Sequence, residues 1–357
     1  MKILFTGGGT AGHVTPNVAL IEKFQEENWD CCYVGSKNGI EKEIIAKLDI
    51  PYHGIASGKL RRYFAWRNFT DPFLILLGVL QSLVICLQVR PSVVFSKGGF
   101  VAVPIVFAAW VFRIPIICHE SDVTPGLANK LCFPFAAKIC VNFGETKQYI
   151  PADKVVVTGT PIRRSLAEGN RERGKQYLGI TNDKPILLVF GGSLGARVIN
   201  AQIRSALSAL SEKFVVVHVA GSGNIDDSLS ATRDYIQAEY LMDEFGDVLA
   251  AADLVIARAG ANSIYELLVT RKPHILIPLS VKASRGDQLV NARTFAQAGF
   301  SQVIEEDDLT DEVLLKKVDE VFADREVIKA RLAKYEVQDS VLVISELIKK
   351  AAVGELG

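Results

Sequence analysis

The sequence predicts an α/β protein that contains two parallel sheets, each surrounded by helices. A short apolar run at residues 3–5 leads through a glycine-rich turn, Gly7 to Gly12, into a helical pattern. The same order restarts at residues 186–190, where a second apolar run enters the turn at 191–196. Further apolar runs alternate with helical stretches, which is typical of parallel strands joined by helices. Two such openings in 357 residues predict two Rossmann-like domains.

The remaining elements follow from apolar runs and from the residues that begin helices. Thr15 is expected to cap the first helix, with Pro16 in its first turn. Ser263 and Glu266 have the spacing of a capping box. The alternative, favoured by the other glycine turns, is a helix start that faces a phosphate while Glu266 accepts from a ribose diol. Further strands are predicted at 31–34, 93–95, 114–118, 139–141, 155–158, 215–219, 254–257 and 274–277.

The restart of the pattern also places the domain boundaries. Residues 1–160 are predicted as the first domain and residues 161–338 as the second. Residues 339–357 are predicted as a helix that can pack on either half, including back on the first. Parallel sheets bind ligands at the carboxyl ends of their strands, so two domains facing across a cleft are expected to enclose one site.

Composition excludes several classes of protein. Forty basic and forty acidic residues cancel, which disfavours a globally basic nucleic-acid binder. The six cysteines include no CxxC pair, so reduced thiols in a cytosolic protein are expected. No signal-peptide pattern precedes the first apolar run.

The first glycine turn matches the fingerprint of dinucleotide-binding proteins, but its context differs. The second strand ends at Val34, Gly35 and Ser36, and the first acidic residue after it is Glu41. A nicotinamide enzyme normally has an acidic residue at that strand end for the ribose, so the dehydrogenase interpretation loses support. Backbone amides at a helix N-terminus still favour an anion. A tight turn without a ligand is the alternative for either glycine turn alone.

Three side chains could carry proton transfer or stabilise charge. His13 closes the first glycine turn, and an imidazole, with an ordinary pKa of about 6.5, suits proton transfer. Glu120 follows a predicted strand, where it could be a base or a cap for the next helix. Arg163 could neutralise a diphosphate or be a surface arginine. No Asp-x-Asp pattern occurs, so a metal-dependent sugar-nucleotide site of that type is unsupported.

A stretch of cations and aromatic rings precedes an uncharged segment, residues 72–89. Basic residues are attracted to anionic headgroups and aromatic rings favour the interfacial zone, so a reversible membrane-docking surface is predicted. Single-stranded nucleic acid is the alternative ligand. A membrane span is disfavoured, because it would separate the two glycine turns by the bilayer. The predicted membrane residues are Arg61, Arg62, Phe64, Trp66, Arg67 and Phe69.

Six short motifs occur in a fixed order along nearly the whole chain: residues 8–13, 96–100, 119–120, 126–130, 191–197 and 260–266. Their sequences are GGTAGH, SKGGF, HE, GLANK, GGSLGAR and GANSIYE. Together they resemble the MurG family of peptidoglycan glycosyltransferases. The resemblance implies the GT-B fold, an inverting transfer without a metal or other cofactor, and a peripheral position on the cytoplasmic face of the bacterial cell membrane.

The resemblance also implies roles for individual residues. The first domain would bind the lipid-linked acceptor and the second the UDP-sugar. Asp122 departs from the pattern, since some members have asparagine there, which makes Asn129 a substitute for that contact. The implied donor contacts are Thr10, Ala11 and Gly12 beside the donor, Arg163 and Ser193 near its diphosphate, Met242, Ala261, Asn262, Ser263, Ile264, Tyr265 and Glu266 around the uridine and ribose, and Gln288 on the sugar hydroxyls.

The implied reaction transfers N-acetylglucosamine from UDP-N-acetylglucosamine to the 4-hydroxyl of undecaprenyl-diphosphate-linked muramyl-pentapeptide. His13 is the candidate base and Glu120 the reserve. An anionic membrane surface and other cell-wall synthesis proteins are the further partners to expect. Two alternatives remain: a GT-B transferase for another lipid, such as diacylglycerol, and a non-catalytic subunit that binds UDP-sugar at the membrane.

Overall fold

The computed structural model describes residues 1–58, 67–192, 195–282 and 284–356. The chain divides into two compact units. Unit 1 consists of Met1–Arg163 together with Gln338–Gly357, and unit 2 consists of Arg164–Val337. Each unit is built around its own parallel sheet.

Unit 1 contains a seven-stranded sheet with the order β3-β2-β1-β4-β5-β6-β7, and every neighbouring pair is parallel. Its central strands are apolar along their whole length because helices cover both faces of such a sheet. The strands are β1 (Lys2–Thr6), β2 (Asp30–Ser36), β3 (Tyr52–Ile55), β4 (Val93–Ser96), β5 (Ile116–Glu120), β6 (Lys138–Val141) and β7 (Val155–Val157).

Helices connect these strands in the order expected for parallel pairing. Val14, rather than Thr15, is the N-cap of the first helix, which begins at Thr15; the expected threonine cap is therefore wrong. The helices are α1 (Thr15–Glu26), α2 (Ile40–Ile45), α3 (Arg67–Val89), α4 (Ala102–Val111) and α5 (Leu127–Cys132).

Unit 2 contains a six-stranded parallel sheet with the order β10-β9-β8-β11-β12-β13. Its strands are β8 (Ile186–Phe190), β9 (Val215–Val219), β10 (Tyr235–Ala238), β11 (Leu254–Ala257), β12 (His274–Leu276) and β13 (Gln302–Val303). Its helices are α6 (Arg164–Ala167), α7 (Arg171–Tyr177), α8 (Arg197–Ser205), α9 (Leu207–Lys213), α10 (Phe245–Ala251), α11 (Ala261–Val269), α12 (Asp287–Gln297), α13 (Asp311–Ala323) and α14 (Arg325–Leu332).

The start of α11 differs from the capping-box expectation. Gly260 is the N-cap, with an extended backbone, and the helix begins at Ala261. Ser263 is therefore the third helical residue and does not cap the helix. Ala261, the first residue of the helix, is 5% exposed.

The last helix, α15 (Ser340–Ala352), belongs to unit 1. Ile344 and Ile348 lie in the same apolar cluster as Phe24 of α1. The Lys349 ammonium lies 2.8 Å from a carboxylate oxygen of Glu27, and this hydrogen-bonded partner lowers the pKa of Glu27. The segment thus returns to the sheet from which the chain began.

Two apolar clusters fill unit 1, one on each face of its sheet. Ile3 and Phe5 lie in one cluster and Leu4 in the other, because successive side chains of a strand point to opposite faces. Within the described ranges, no helix has both the length and the hydropathy needed to cross a membrane.

Candidate functional site

The first glycine turn joins β1 to α1 and is folded on itself. Gly9 has a φ of +88°, a left-handed conformation that favours glycine. The Gly8 amide donates to the Gly98 carbonyl at 3.3 Å, and the Gly9 amide donates to Glu41 Oε2 at 3.3 Å. Two amides of the turn that was expected to bind an anion thus have acceptors within the protein. Thr10 and Gly12 are exposed, and Ala11 is half-buried.

His13 is held against this turn through one ring nitrogen. Its Nδ1 lies 3.1 Å from the Gly8 carbonyl oxygen and 3.1 Å from Thr10 Oγ1. Because a carbonyl oxygen can only accept, the hydrogen-bond network assigns a hydrogen to Nδ1, which donates to Gly8. The lone pair of the neutral ring is then on Nε2. A half-buried imidazole in a fixed tautomer is well suited to accept a proton.

Glu120 is the last residue of β5 and is 4% exposed. Its Oε1 accepts from the Asp122 amide at 3.0 Å, and its Oε2 accepts from the Gly126 amide and Asn129 Nδ2, each at 2.9 Å. The carboxylate therefore fastens the loop that leads into α5. This arrangement matches the capping alternative for Glu120, and it makes His13 the stronger candidate for the base.

Asn129 and Asp122 lie beside that carboxylate in different environments. Asn129 is 4% exposed, and its Nδ2 also donates to the His119 carbonyl at 3.1 Å. Its side-chain nitrogen is thus engaged inside unit 1, whereas its buried Oδ1 accepts no hydrogen bond from the described residues. Asp122 is half-buried, and its backbone carbonyl accepts from Thr146 Oγ1 at 3.4 Å.

A buried polar cluster underlies the carboxyl ends of β4 and β5. Lys97 Nζ lies 2.9 Å from His119 Nδ1 and also contacts Ser121 Oγ. His119 Nε2 lies 2.9 Å from the Gly159 carbonyl oxygen, so Nε2 donates there and Nδ1 accepts from Lys97. Sequence reasoning assigned Lys97 and His119 no role. A titratable residue at the end of each apolar run was the signal that could have found them.

Burial controls the protonation of this cluster. It lowers the pKa of Lys97 to about 8, against the opposing effect of Glu120 and Asp122. Burial, followed by the Lys97 charge, holds the pKa of His119 well below its usual value. At neutral pH the cluster therefore consists of a charged lysine and a neutral histidine.

The second glycine turn joins β8 to α8 and is equally tight. Gly192 and Gly195 have φ values of +96° and +73°. A Cβ at Gly195 would lie against the Ala220 carbonyl oxygen, so only glycine fits. Ser193, the predicted diphosphate contact in this turn, falls outside the described residues.

The predicted uridine and ribose residues on α11 divide by burial. Ala261, Ile264 and Tyr265 are buried, whereas Asn262, Ser263 and Glu266 are half-buried. Residues three and four apart lie on one face of a helix, so the three polar residues share a face and the three apolar ones hold the helix on the sheet. The polar face follows β11 directly, at the carboxyl end of the second sheet.

Three further predicted donor contacts lie outside α11. Gln288 Oε1 accepts from the Leu279 amide at 3.0 Å, which leaves its side-chain nitrogen as a donor. Met242 is 51% exposed and follows β10. Arg163 is half-buried and lies in unit 1, at the point where the chain passes into unit 2.

The sequence-based predictions assigned no role to Arg258. It is 9% exposed, forms an ion pair with Glu306, and donates to the Ile277 carbonyl at 3.2 Å. Its guanidinium thereby ties the loop after β11 to the loop after β12. A cation directly after an apolar strand was again the available signal.

A cavity of about 560 Å³ lies at the other end of the second sheet. Lys184 and Asp234, which precede β8 and β10, are among its lining residues. None of the predicted site residues lines it. Ligands of parallel sheets bind at the carboxyl ends of the strands, so this cavity is not the candidate site.

An exposed apolar face lies on the helices of unit 1. On α3, a row of exposed apolar side chains recurs three or four residues apart from Phe73 to Leu87. Three further exposed apolar side chains lie at the C-terminal end of α4 and its C-cap. Arg67 and Phe69 lie in the first turn of α3, while Arg61, Arg62, Phe64 and Trp66 fall outside the described residues. We define the α3–α4 apolar face as Phe73, Leu76, Leu77, Leu80, Val84, Leu87, Trp110, Val111 and Phe112.

Comparison with known proteins identifies the family. The Glycosyltransferase family 28 N-terminal domain matches residues 3–141, and the Glycosyltransferase family 28 C-terminal domain matches residues 186–347. A Legionella pneumophila (strain Paris) protein is 52% identical over 352 residues, which cover 98% of this chain and 97% of that protein. This chain belongs to glycosyltransferase family 28.

Relatives within family 28 share one name. The Legionella protein is a UDP-N-acetylglucosamine--N-acetylmuramyl-(pentapeptide) pyrophosphoryl-undecaprenol N-acetylglucosamine transferase. A Bacillus cereus (strain ATCC 10987 / NRS 248) protein of the same name, numbered 2, is 49% identical over 350 residues, covering 98% of this chain and 99% of that protein. These proteins confirm the resemblance to MurG enzymes.

Solved structures of other proteins match the two-domain GT-B fold of this chain. Acinetobacter baumannii MurG has a TM-score of 0.77 at 24% identity, covering 98% of this chain and 99% of that one. The UDP-GlcNAc 2-epimerase from Neisseria meningitidis has a TM-score of 0.68 at 13% identity, covering 98% and 100%. The predicted fold class, α/β with two Rossmann-like domains, is confirmed.

Proposed function

We propose that this chain transfers N-acetylglucosamine from UDP-N-acetylglucosamine to lipid-linked muramyl-pentapeptide, with inversion at the anomeric carbon. The observation that carries the proposal is the match to relatives of this activity, at 49–52% identity over nearly the full length of both chains. Both family 28 domains occur in the one chain, which favours an enzyme over a separate binding subunit.

His13 is the base of the proposed reaction. The muramyl 4-hydroxyl attacks the anomeric carbon of the donor and forms the new glycosidic bond. At the same time the bond from that carbon to the oxygen of the β-phosphate breaks, and UDP leaves with the electron pair. The hydroxyl proton passes to His13 Nε2, while the bond from Nδ1 to the Gly8 carbonyl stabilises the imidazolium that forms.

Unit 2 holds the donor in this proposal. The polar face of α11, formed by Asn262, Ser263 and Glu266, contacts the uridine and ribose, and the Glu266 carboxylate accepts from the ribose diol. The amides of the second glycine turn and Ser193 stabilise the diphosphate, and Arg163 of unit 1 is the further diphosphate contact. Gln288 donates its side-chain amide to the sugar hydroxyls, and Met242 packs on the base.

Unit 1 brings this chemistry to the membrane. The acceptor carries an undecaprenyl chain that stays in the bilayer, so the enzyme must reach the surface. The α3–α4 apolar face fits the headgroup boundary as an interfacial surface, with the basic-aromatic segment 59–69 beside it in sequence. We therefore place the enzyme peripherally on the cytoplasmic face of the membrane.

The decisive experiment incubates the purified chain with radiolabelled UDP-N-acetylglucosamine and a lipid-linked muramyl-pentapeptide analogue, with EDTA present. We expect labelled disaccharide-lipid, with the label in a β-linkage. Diacylglycerol is offered in parallel as a competing acceptor and should remain unlabelled. Folded protein that binds UDP-N-acetylglucosamine but labels neither lipid would contradict the proposal.

A further inference from the structure

Glu41 is a buried carboxylate that the reaction described above does not use. It is the second residue of α2 and is 0% exposed. Its Oε1 accepts from the Ser36 amide at 2.8 Å and from Ser36 Oγ at 2.5 Å, and its Oε2 accepts from the Gly9 amide at 3.3 Å. Burying a carboxylate away from water is unfavourable unless hydrogen-bond donors surround it.

Three glycines provide the space for this carboxylate. A Cβ at Gly8 would lie 2.6 Å from Glu41 Oε1, and a Cβ at Gly35 would lie 2.7 Å from Glu41 Cγ. A Cβ at Gly39 would overlap both carboxylate oxygens. Segments from the first turn, the end of β2 and the start of α2 thus close around Glu41.

The contact with Gly9 matters because of the peptide group that it engages. The Gly9 amide and the Gly8 carbonyl belong to the same peptide unit. Its N–H donates to Glu41 Oε2, and its carbonyl oxygen accepts from His13 Nδ1 at 3.1 Å. One planar peptide therefore links the buried carboxylate to the imidazole.

We propose that Glu41 is the positioning residue of the catalytic base, acting through the Gly8–Gly9 peptide. The carboxylate fixes the orientation of a peptide between two glycines, which otherwise adopts many conformations. It also polarises that peptide, because hydrogen bonds in a chain strengthen one another. The Gly8 oxygen becomes a better acceptor for Nδ1–H when Nε2 takes the substrate proton. This inference rests on the proposed role of His13.

The proposal also accounts for the partner of one backbone amide in the first turn. The Gly9 amide, which a phosphate-binding turn would offer to its ligand, is directed to a carboxylate of the protein. This part of the turn holds the His13 ring, which contacts the Gly8 carbonyl oxygen and Thr10 Oγ1.

The test is a double-mutant cycle between E41Q and H13A, measured by sugar transfer. We expect E41Q to lower kcat by about 10- to 100-fold, the scale of a slightly misplaced catalytic group. The KM for UDP-N-acetylglucosamine should stay within about twofold, since most of the proposed donor contacts lie on unit 2. In the H13A background E41Q should have no further effect, because coupled groups are not additive.

Control variants separate positioning from folding. Glu43, exposed on the same helix, is the matched control, and E43Q should leave kcat and KM unchanged. If E41Q does not fold, S36A removes one hydrogen bond from Glu41 Oε1 and should lower kcat in the same direction, by a smaller factor.

Three outcomes are distinguishable. An E41Q enzyme with wild-type kcat, or equal effects of E41Q with and without His13, overturns the inference about Glu41. An H13A enzyme with wild-type kcat overturns the base itself, and the inference with it. A wild-type chain that transfers no sugar to the lipid acceptor overturns the proposed function.

Discussion

At the scale of single residues, burial divides the predicted donor contacts into those that can touch a ligand and those that hold the scaffold. Glu266 is half-buried on the polar face of α11, whereas Tyr265 beside it is 3% exposed. A helix that packs on a sheet must bury one of its faces, so contiguous motif residues cannot all contact the same ligand.

Replacing Glu266 with Gln should therefore weaken donor binding more than it slows the chemical step. The loss of a charged acceptor for the ribose diol removes hydrogen bonds worth roughly 1.5–3 kcal/mol. We expect the KM for UDP-N-acetylglucosamine to rise about tenfold or more, with kcat changed less than about threefold. Steady-state kinetics with varied donor would measure both.

The matched control is Glu312→Gln, an exposed glutamate at the start of α13. It should leave both constants unchanged. An E266Q enzyme that loses kcat at an unaltered KM would contradict a ribose contact and favour a role in the reacting state.

At the catalytic turn, the sequence could predict which residue is important, but it could not predict which residues are in contact. His13 stood out because it closes a glycine turn before a helix. Glu41 entered the sequence argument only as the acidic residue that came too late to bind a ribose. Its side chain reaches Gly9, 32 positions earlier, and no local pattern indicates that contact.

At the scale of elements, the strands that sequence reasoning missed share one property. β3, β10 and β13 all lie at edges of their sheets. Their residues are mostly half-buried, so their sequences lack the apolar run that marks a central strand. β7 is also an edge strand, but its three valines made it recognisable.

The α3–α4 apolar face supports a prediction about membrane binding. Leu76 and Leu80 are 59% and 54% exposed on α3. Replacing both with Glu should reduce the partition of the enzyme to anionic vesicles by about tenfold or more, because each leucine contributes roughly 1.5–3 kcal/mol on full burial. Vesicle co-sedimentation measures the effect, and turnover of a water-soluble acceptor analogue should be unchanged.

Val327→Glu provides a control on the other unit, since this valine of α14 is 60% exposed but lies outside that face. It should leave vesicle partition as it is in the wild type. Equal losses in both variants would indicate a general effect of added negative charge instead of a docking surface.

At the scale of the whole molecule, buried histidines link stability to pH. Burial lowers the pKa of His218 and of His274 to about 4, and it holds that of His119 well below its usual value. In the unfolded chain the pKa of each histidine is about 6.5. Below that pH the unfolded state binds more protons, so stability is complete above about 6.5 and is lost as the pH falls towards the folded values.

We therefore expect the free energy of unfolding to decrease between pH 7.5 and 5. Each buried histidine contributes a slope of up to about 1.4 kcal/mol per pH unit once it is protonated in the unfolded chain. Urea unfolding at a series of pH values measures this slope. A His274→Gln variant should show a shallower dependence than the wild type, and an unfolding free energy that is constant across this range would refute the linkage.

The amino-acid sequence by itself determined the repeated order of strand, glycine turn and helix, the central strands and the family motifs. These features are local, since they depend on apolar runs and on residues that permit a particular backbone conformation. The tertiary structure alone decided which groups meet at the strand ends. The link from Glu41 to His13 and the Lys97–His119 contact join segments far apart in the chain. Burial then set their protonation, because the cost of removing a charge from water depends on every element packed around it.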